Sequence, residues 1–426
     1  MQIGREWLVA LMLGAAMFLG GCSITIGLPE LQGDPAMIDD GGSPRLWLLT
    51  KQEEGKQVLT RVSQRSSRSR FDTLFHFDLK VMDPVTARPL WSKRLLTLGD
   101  PEAMGYGPSR VIGSAAGARL IGQEGDRVWM FVDEYLLALR ASDGEVLATF
   151  ETIEQNNPEL KGLLPGETKH YRFDQGLVFM SADARTFVLR GPDFKAQPYA
   201  PPPPVQVVEL KPNDSMRIVP MRPVSREIPA RLVETPAGWL GLYTQKEVAD
   251  ASVDRRGDYL RYPYAILDEG QLARRSFWRM AVSEVKDPYD EPFLHLSGAT
   301  PILDAPVLLR GRFLKVAGTD EPRLLENPSG LAVWHVTRID AEGRLVLTRI
   351  QQDLSTVWTA ELPLSDSRPF EPVMVWPMDG RLVIFGDEAS TVDGVSRREH
   401  RLVSLSLADG EWQGWDVSSD AALVHR

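Results

Sequence analysis

The chain has 426 residues, of which 43% are hydrophobic and 25% are charged, the balance of a soluble globular protein rather than of a polytopic membrane protein or a disordered chain. With 48 Lys and Arg against 58 Asp and Glu, the formal net charge is −10, which disfavours general binding to nucleic-acid phosphates. The one cysteine, Cys22, excludes an intrachain disulfide and a Cys-x-x-Cys metal pair.

The N-terminal segment carries an apolar run that is too short to cross a membrane. The run spans Trp7 to Leu19 and follows Arg5. Its 13 residues rise about 20 Å as a helix, whereas a membrane span needs roughly 20 residues. The run ends in Leu19, Gly20, Gly21 and Cys22. A basic start, a short apolar run and small residues at its end are typical of a cleaved signal peptide.

Leu19-Gly20-Gly21-Cys22 resembles the lipobox of bacterial lipoproteins. In that family a diacylglyceryl group is attached to the cysteine thiol, and the signal is cut just before it. The resemblance implies that residues 1–21 are removed, that Cys22 is the lipid-attachment site, and that Ser23 sorts the protein to the outer membrane, where Asp would hold it at the inner one. An ordinary secretory signal with a stray cysteine is the alternative. Residues 22–44 carry Gly, Pro and Asp without clear periodicity and predict a flexible tether.

Short β-rich runs separated by turn residues extend from 45 to 420. Four similar runs begin at Gly125, Gly176, Gly330 and Gly380, which are 51, 154 and 50 residues apart. Weaker copies lie at 238–243 and 277–282, and a further copy opens the body at 45–49. A period near fifty is typical of stacked supersecondary units. Seven units predict an all-β, seven-bladed β-propeller, with eight blades as the alternative, followed by a short C-terminal tail at 421–426.

Tight turns are predicted at Asp143-Gly144, Asp409-Gly410 and Glu342-Gly343, because glycine supplies the positive φ that such turns require. A Pro-rich stretch at about 198–236 includes Pro201 to Pro204, and proline donates no hydrogen bond to a sheet. This stretch predicts an inserted extended loop with polyproline II geometry. A domain boundary with a rigid linker is the alternative.

The segment from Phe77 to Asp83, with Thr86 and Leu90-Trp91, resembles the repeat of quinoprotein-type propellers, although Ala87 stands where Gly is usual. The resemblance implies a propeller fold, and the layout is similar to that of the lipid-anchored propeller subunit of the outer-membrane protein assembly machine. Family members commonly add a vicinal cysteine pair, which a chain with one cysteine lacks. We therefore expect the fold without the quinone cofactor. A pair of unrelated β-sandwiches is the alternative fold.

Motifs that carry chemistry are scarce. The sequence has no G-x-S-x-G, H-E-x-x-H or P-loop, and Ser283-x-x-Lys286 falls in a predicted strand rather than at a helix start. No two of the six histidines are spaced for a local metal pair. His76, His295 and His335 fall in strand patterns, which favours structural roles. The sequence therefore predicts no catalytic, cofactor-binding or metal-binding residues.

One basic cluster is formed by Arg61, Arg65, Arg68 and Arg70, interleaved with serines. A solvated hairpin loop and a contact with anionic lipid headgroups or an acidic partner are the two interpretations.

The sequence as a whole predicts a lipid-anchored, non-catalytic β-propeller. It would face the periplasm on the outer membrane of a Gram-negative bacterium and bind an envelope protein or cell-wall partner as a scaffold. The alternative is a periplasm-facing enzyme, either similar to quinone-dependent dehydrogenases or acting on glycans, with its active residues on the propeller loops. A structural envelope protein without a tight ligand is a third interpretation.

Overall fold

The computed structural model is mostly antiparallel β-sheet, which confirms the predicted all-β class. It describes residues 24–63, 66–99, 118–199, 227–230, 232–235, 237–245, 247–248, 274–285, 293–317, 322–324, 330–339, 342–351, 353–365, 373–378, 380–392 and 395–424. The chain forms two compact units. Unit 1 comprises Met1–Met82 and Pro89–Val205, and unit 2 comprises Asp83–Arg88 and Gln206–Arg426.

Sheet 1 is built on a long hairpin and begins at the first described residue. It contains β1 (Ile24–Ile26), β2 (Glu30–Leu31), β3 (Ala36–Asp39), β4 (Pro44–Ser63), β5 (Ser66–Asp83) and β6 (Arg88–Gly99). The strands β1, β2 and β3 pair antiparallel with successive parts of β4. The predicted tether at 22–44 is therefore wrong from Ile24 onward, because β4 offers a free edge for these short segments and Ile38 is buried against the core.

Sheets 2 and 3 are four-stranded antiparallel meanders in unit 1. Sheet 2 contains β7 (Ala118–Glu124), β8 (Arg127–Val132), β9 (Tyr135–Arg140) and β10 (Val146–Ala148). A short helix, α1 (Phe150–Asn156), leads to sheet 3, which contains β11 (Tyr171–Phe173), β12 (Leu177–Met180), β13 (Thr186–Arg190) and β14 (Lys195–Pro198).

Unit 2 also contains three sheets. Its first strand, β15 (Glu227–Ala230), belongs to sheet 5. Sheet 4 contains β16 (Leu232–Thr235), β17 (Gly238–Tyr243), β18 (Arg274–Val285), β19 (Phe293–Pro301) and β20 (Leu308–Leu309). Sheet 5 adds β21 (Arg312–Ala317), β22 (Pro322–Leu324), β23 (Gly330–Val336), β24 (Arg344–Gln351) and β25 (Thr356–Ser365) to β15. Sheet 6 contains β26 (Met374–Met378), β27 (Arg381–Val392), β28 (Val395–Ser406), β29 (Trp412–Asp416) and β30 (Ala421–Leu423).

The middle sheet of each unit is buried on both faces. In β8, Val128 and Met130 pack with sheet 1, while Trp129 and Phe131 pack with sheet 3. In unit 2, β23 divides its side chains between sheet 6 and sheet 4 in the same alternating way. Successive side chains of a strand point to opposite faces, so a strand covered on both faces is apolar throughout. This explains the continuous apolar runs in the sequence.

The seven predicted repeat copies lie in strands but occupy six sheets. The runs at 238–243 and 277–282, predicted to be separate units, are the adjacent strands β17 and β18, with Trp239 opposite Met280. Their spacing of 39 residues departs from the period near fifty, and buried strands of the same sheet look alike in sequence.

The predicted turns at Gly144 and Gly410 are confirmed, with φ of +67° and +80°. A Cβ on Gly144 would lie 2.8 Å from the Trp91 ring, and one on Gly410 would lie 2.8 Å from the Trp358 ring. Because glycine has no Cβ, the indole of a tryptophan in the preceding sheet packs directly against each turn. Ala87, at the corresponding position of the first turn, adopts φ of +51° and is fully buried.

Two predicted loops end in strands. The Pro-rich stretch at 198–236 contains β15 and β16, so its last part is not an extended loop. Among the described strands β15 is at the edge of sheet 5, a position that tolerates Pro229. The units divide between Val205 and Gln206, inside the same stretch. The predicted tail at 421–426 begins with β30, which pairs with β29 through Leu423 and Gly414.

Candidate functional site

The predicted lipid-attachment site lies outside the described residues. This holds for Leu19, Gly20, Gly21, Cys22 and Ser23 alike. The first described residue, Ile24, pairs with Lys56 of β4. Cys22 is therefore two residues from the edge of sheet 1, and its predicted lipidation stays a prediction.

A polar depression lies where three turns of sheets 1 and 2 meet in unit 1. It has a volume of about 510 Å³ and is lined by Asp39, Asp40, Gly41, Gln123, Gly125, Asp126 and Ser142. The amide of Gln123 holds two of the turns together, because its Oε1 accepts the N–H of Asp39 at 3.0 Å and its Nε2 donates to the carbonyl of Gly125 at 2.7 Å.

The rim of this depression is acidic. The backbone N–H of Ser43 and the Arg45 guanidinium lower the pKa of Asp40 below its ordinary value. The pKa of Asp143, in the β9–β10 turn beside Ser142, is lowered by the backbone N–H of Glu145 and by Arg140. These carboxylates stay ionised at neutral pH, each beside an arginine, and the lining of the depression offers carboxylate, amide and hydroxyl groups to a polar ligand. Across the described ranges, no group of three or more His, Cys, Asp or Glu residues is placed to hold a metal ion.

A hydrogen-bonded relay crosses three strands of sheet 1. His76 on β5 is 7% exposed, and its Nε2 lies 2.9 Å from Glu54 Oε2 on β4. Its Nδ1 lies 3.1 Å from the Thr97 hydroxyl on β6, and Thr97 is exposed. In a neutral imidazole the carboxylate accepts the Nε2 proton, so Nδ1 accepts the hydroxyl proton of Thr97. The predicted structural hydrogen bonding of His76 is confirmed, and the same geometry orients a base against an exposed hydroxyl.

A buried ion network lies in sheet 6. Glu388 is 6% exposed and accepts from Arg344 at 2.8 Å and from the Ser365 hydroxyl at 3.1 Å. Arg401 donates to Glu399 at 2.6 Å and to the carbonyl of Pro363 at 2.9 Å. Every partner comes from within unit 2, and the network joins β27 and β28 to β25. We assign it a structural role.

In the described ranges, the remaining residues considered as candidates do not come together in one site. His335 lies 2.8 Å from the Thr348 hydroxyl in sheet 5, and burial lowers its pKa below the ordinary value. Ser283 lies inside β18, as predicted, whereas Lys286 lies outside the described residues. Sequence reasoning missed the acidic depression. Turn residues such as Asp39-Asp40-Gly41 signal the turns, but not that turns of two sheets meet.

The sequence matches no protein-family model, and no curated protein matches it significantly. Within the described ranges, none of the helices combines the length and the apolar character needed to cross a bilayer.

Proposed function

We propose that the chain is a lipid-anchored, non-catalytic scaffold of the bacterial envelope that binds a protein or cell-wall partner at its periplasmic face. The observation that carries the proposal is the stacking of three antiparallel sheets in each unit, with an indole seated on a positive-φ glycine in both. Such stacking gives a rigid platform on which turns present a binding surface. The sheets as blades of a β-propeller are part of this proposal, and a seventh blade requires a further sheet from residues outside the described ranges.

The anchor is tested by labelling cells with palmitate. The wild-type chain and a Ser23→Ala control should both incorporate the label and fractionate with membranes. Cys22→Ser removes the only thiol and should incorporate none. Equal labelling of Cys22→Ser and wild type would contradict the anchor.

The scaffold role is tested by cross-linking the anchored protein in intact cells and isolating it from solubilised envelope. We expect one stoichiometric partner. Asp126→Arg reverses a charge on the rim of the depression, where the side chain is 56% exposed, and should reduce the yield of the partner. Glu159→Arg makes the same charge change at an exposed site away from the depression and should leave the yield unchanged. Equal yields from both variants would remove the depression from the interface.

One observation favours a catalytic function as the second candidate: the relay of Thr97, His76 and Glu54 resembles an activated nucleophile, its base and the group that orients the base. Acyl transfer is the chemistry it suits. A fluorophosphonate probe should then label the full chain at Thr97, and neither His76→Gln nor Thr97→Val should be labelled. Absence of labelling in the wild type would leave the relay with its structural role alone.

A further inference from the structure

The hairpin of β4 and β5 extends beyond the described residues of the strands β1 and β6 that flank it. On one side, the last described pair between β1 and β4 joins Ile24 and Lys56. On the other side, β6 ends at Gly99, which lies against Thr73 and Leu74. Residues 57–63 and 66–72 of the two strands pair with each other. We call these two segments the ribbon; seven residues of strand reach about 24 Å.

The ribbon is basic, whereas the chain is acidic. From Gln57 to Asp72 the sequence holds four arginines and one carboxylate, a formal charge of +3 in a chain of −10. Arg65 lies outside the described residues. Every basic residue here is arginine, whose planar guanidinium binds phosphate oxygens in pairs.

The register leaves the ribbon's arginines without an acidic residue opposite. Arg68 stands opposite Thr60, Arg70 opposite Val58, and Arg61 opposite Ser67. Directly opposed residues are the neighbours that stabilise a two-stranded antiparallel pair. The one carboxylate of the ribbon, Asp72, stands opposite Lys56 in the register rather than opposite an arginine.

The ribbon begins beside the predicted anchor. Ile24 pairs with Lys56, the residue that directly precedes the ribbon, and Cys22 is two residues before Ile24 in the sequence. Two residues span at most about 7 Å, a distance comparable with the Debye length of about 8 Å at physiological ionic strength. A lipid on Cys22 would thus place the base of the ribbon within electrostatic reach of the bilayer surface.

We propose that the ribbon binds the anionic phospholipid headgroups of the membrane that holds the chain. The position of the membrane rests on the proposed function, whereas the affinity of the ribbon for lipid phosphates does not. Contact at both Cys22 and the ribbon fixes the orientation of unit 1 on the bilayer. The diacylglyceryl group implied at Cys22 carries two acyl chains and would suffice for attachment, so the contribution of the ribbon is to orient the unit.

The test uses the full chain with Cys22→Ser, which removes the thiol needed for acylation, and measures co-sedimentation with vesicles. One vesicle preparation is phosphatidylcholine alone, and the other contains equal parts of phosphatidylcholine and phosphatidylglycerol. Binding should favour the anionic vesicles and weaken with added salt. Replacing Arg61, Arg68 and Arg70 by Gln should reduce the partition coefficient about 100-fold, since each basic residue at an anionic surface contributes about fivefold.

A matched triple variant controls for net charge. Arg119→Gln, Lys161→Gln and Lys169→Gln remove three exposed positive charges from unit 1 outside the ribbon and should change binding by less than about fivefold. Equal losses in the two triple variants, or equal binding to both vesicle preparations, would overturn the proposal. Binding to polyglutamate but not to vesicles would assign the ribbon to an acidic protein and overturn it as well. Failure of palmitate labelling would contradict the anchor and leave this result standing.

Discussion

Gly144→Ala should destabilise unit 1 by about 2–5 kcal/mol, for two separable reasons. The φ of +67° is strained for any residue with a Cβ, at a cost of about 1–2 kcal/mol. The new Cβ would also lie 2.8 Å from Cη2 and 3.1 Å from Cζ3 of Trp91, and overpacking of this kind costs about 1–3 kcal/mol. The indole has little room to move, because its centroid lies 5.9 Å from that of the fully buried Trp47 in a T-shaped contact.

Gly125→Ala separates the two contributions. Gly125 has φ of +57°, but a Cβ placed there meets nothing within 4 Å. This variant should therefore show the backbone strain alone, about 1–2 kcal/mol. Both substitutions restrict the unfolded chain equally, so that effect cancels between them.

The assay is urea unfolding of the full chain followed by circular dichroism. In the background of Trp91→Leu, Gly144→Ala should be no more destabilising than Gly125→Ala. A double-mutant cycle should therefore give a coupling free energy of about 1–3 kcal/mol between positions 91 and 144. If Gly144→Ala is no more destabilising than Gly125→Ala, the indole does not limit the turn, and the account of sheet-to-sheet packing through this contact is wrong.

Three further outcomes are expected. Ser23→Asp should keep the palmitate label but shift the protein to the inner-membrane fraction, if the lipoprotein sorting rule applies; unchanged fractionation would contradict it. Burial holds the pKa of His335 below its ordinary value of 6.5, so on acidification the unfolded state takes up a proton before the folded state does. The free energy of unfolding should therefore fall as the pH decreases below about 6.5. In unfolding measurements at several pH values, His335→Gln should lose this dependence. Arg401→Met leaves buried Glu388 and Asp416 with less compensation and should lower the free energy of unfolding by about 3–5 kcal/mol in urea titrations; a change below about 1 kcal/mol would mean that Arg344 alone balances Glu388.

The local features of the fold were predictable from the sequence. The turns at Asp143-Gly144 and Asp409-Gly410 are specified by the residues that form them, because a positive φ is strained for residues other than glycine. Strands such as β8 and β12 were predictable because their burial requires an apolar run. Even Ala87, which departs from the glycine pattern, keeps the left-handed conformation of its position.

Features that depend on distant pairing were not predictable. Nothing within residues 24–39 indicates that they pair with β4, since short edge strands take their register from the partner strand. The relay of His76, Glu54 and Thr97 joins residues 22 and 21 positions apart. Spacing rules for local metal or catalytic pairs do not detect such an arrangement, because it arises from the register of three strands.

The pairing of β1 changes what an anchor on Cys22 would do. On a flexible tether, the body would sample many orientations, and a basic segment near the membrane would gain little from the anchor. With Ile24 fixed opposite Lys56, the predicted tether is ordered from Ile24 onward on folding, so a lipid on Cys22 would also present the ribbon to the bilayer. The effective concentration of the ribbon at the membrane surface depends on the length of the linker to the lipid. That linker would be two residues long rather than more than twenty. A loosened β1 should therefore weaken the contribution of the ribbon to membrane binding even where the lipid and all the arginines are retained.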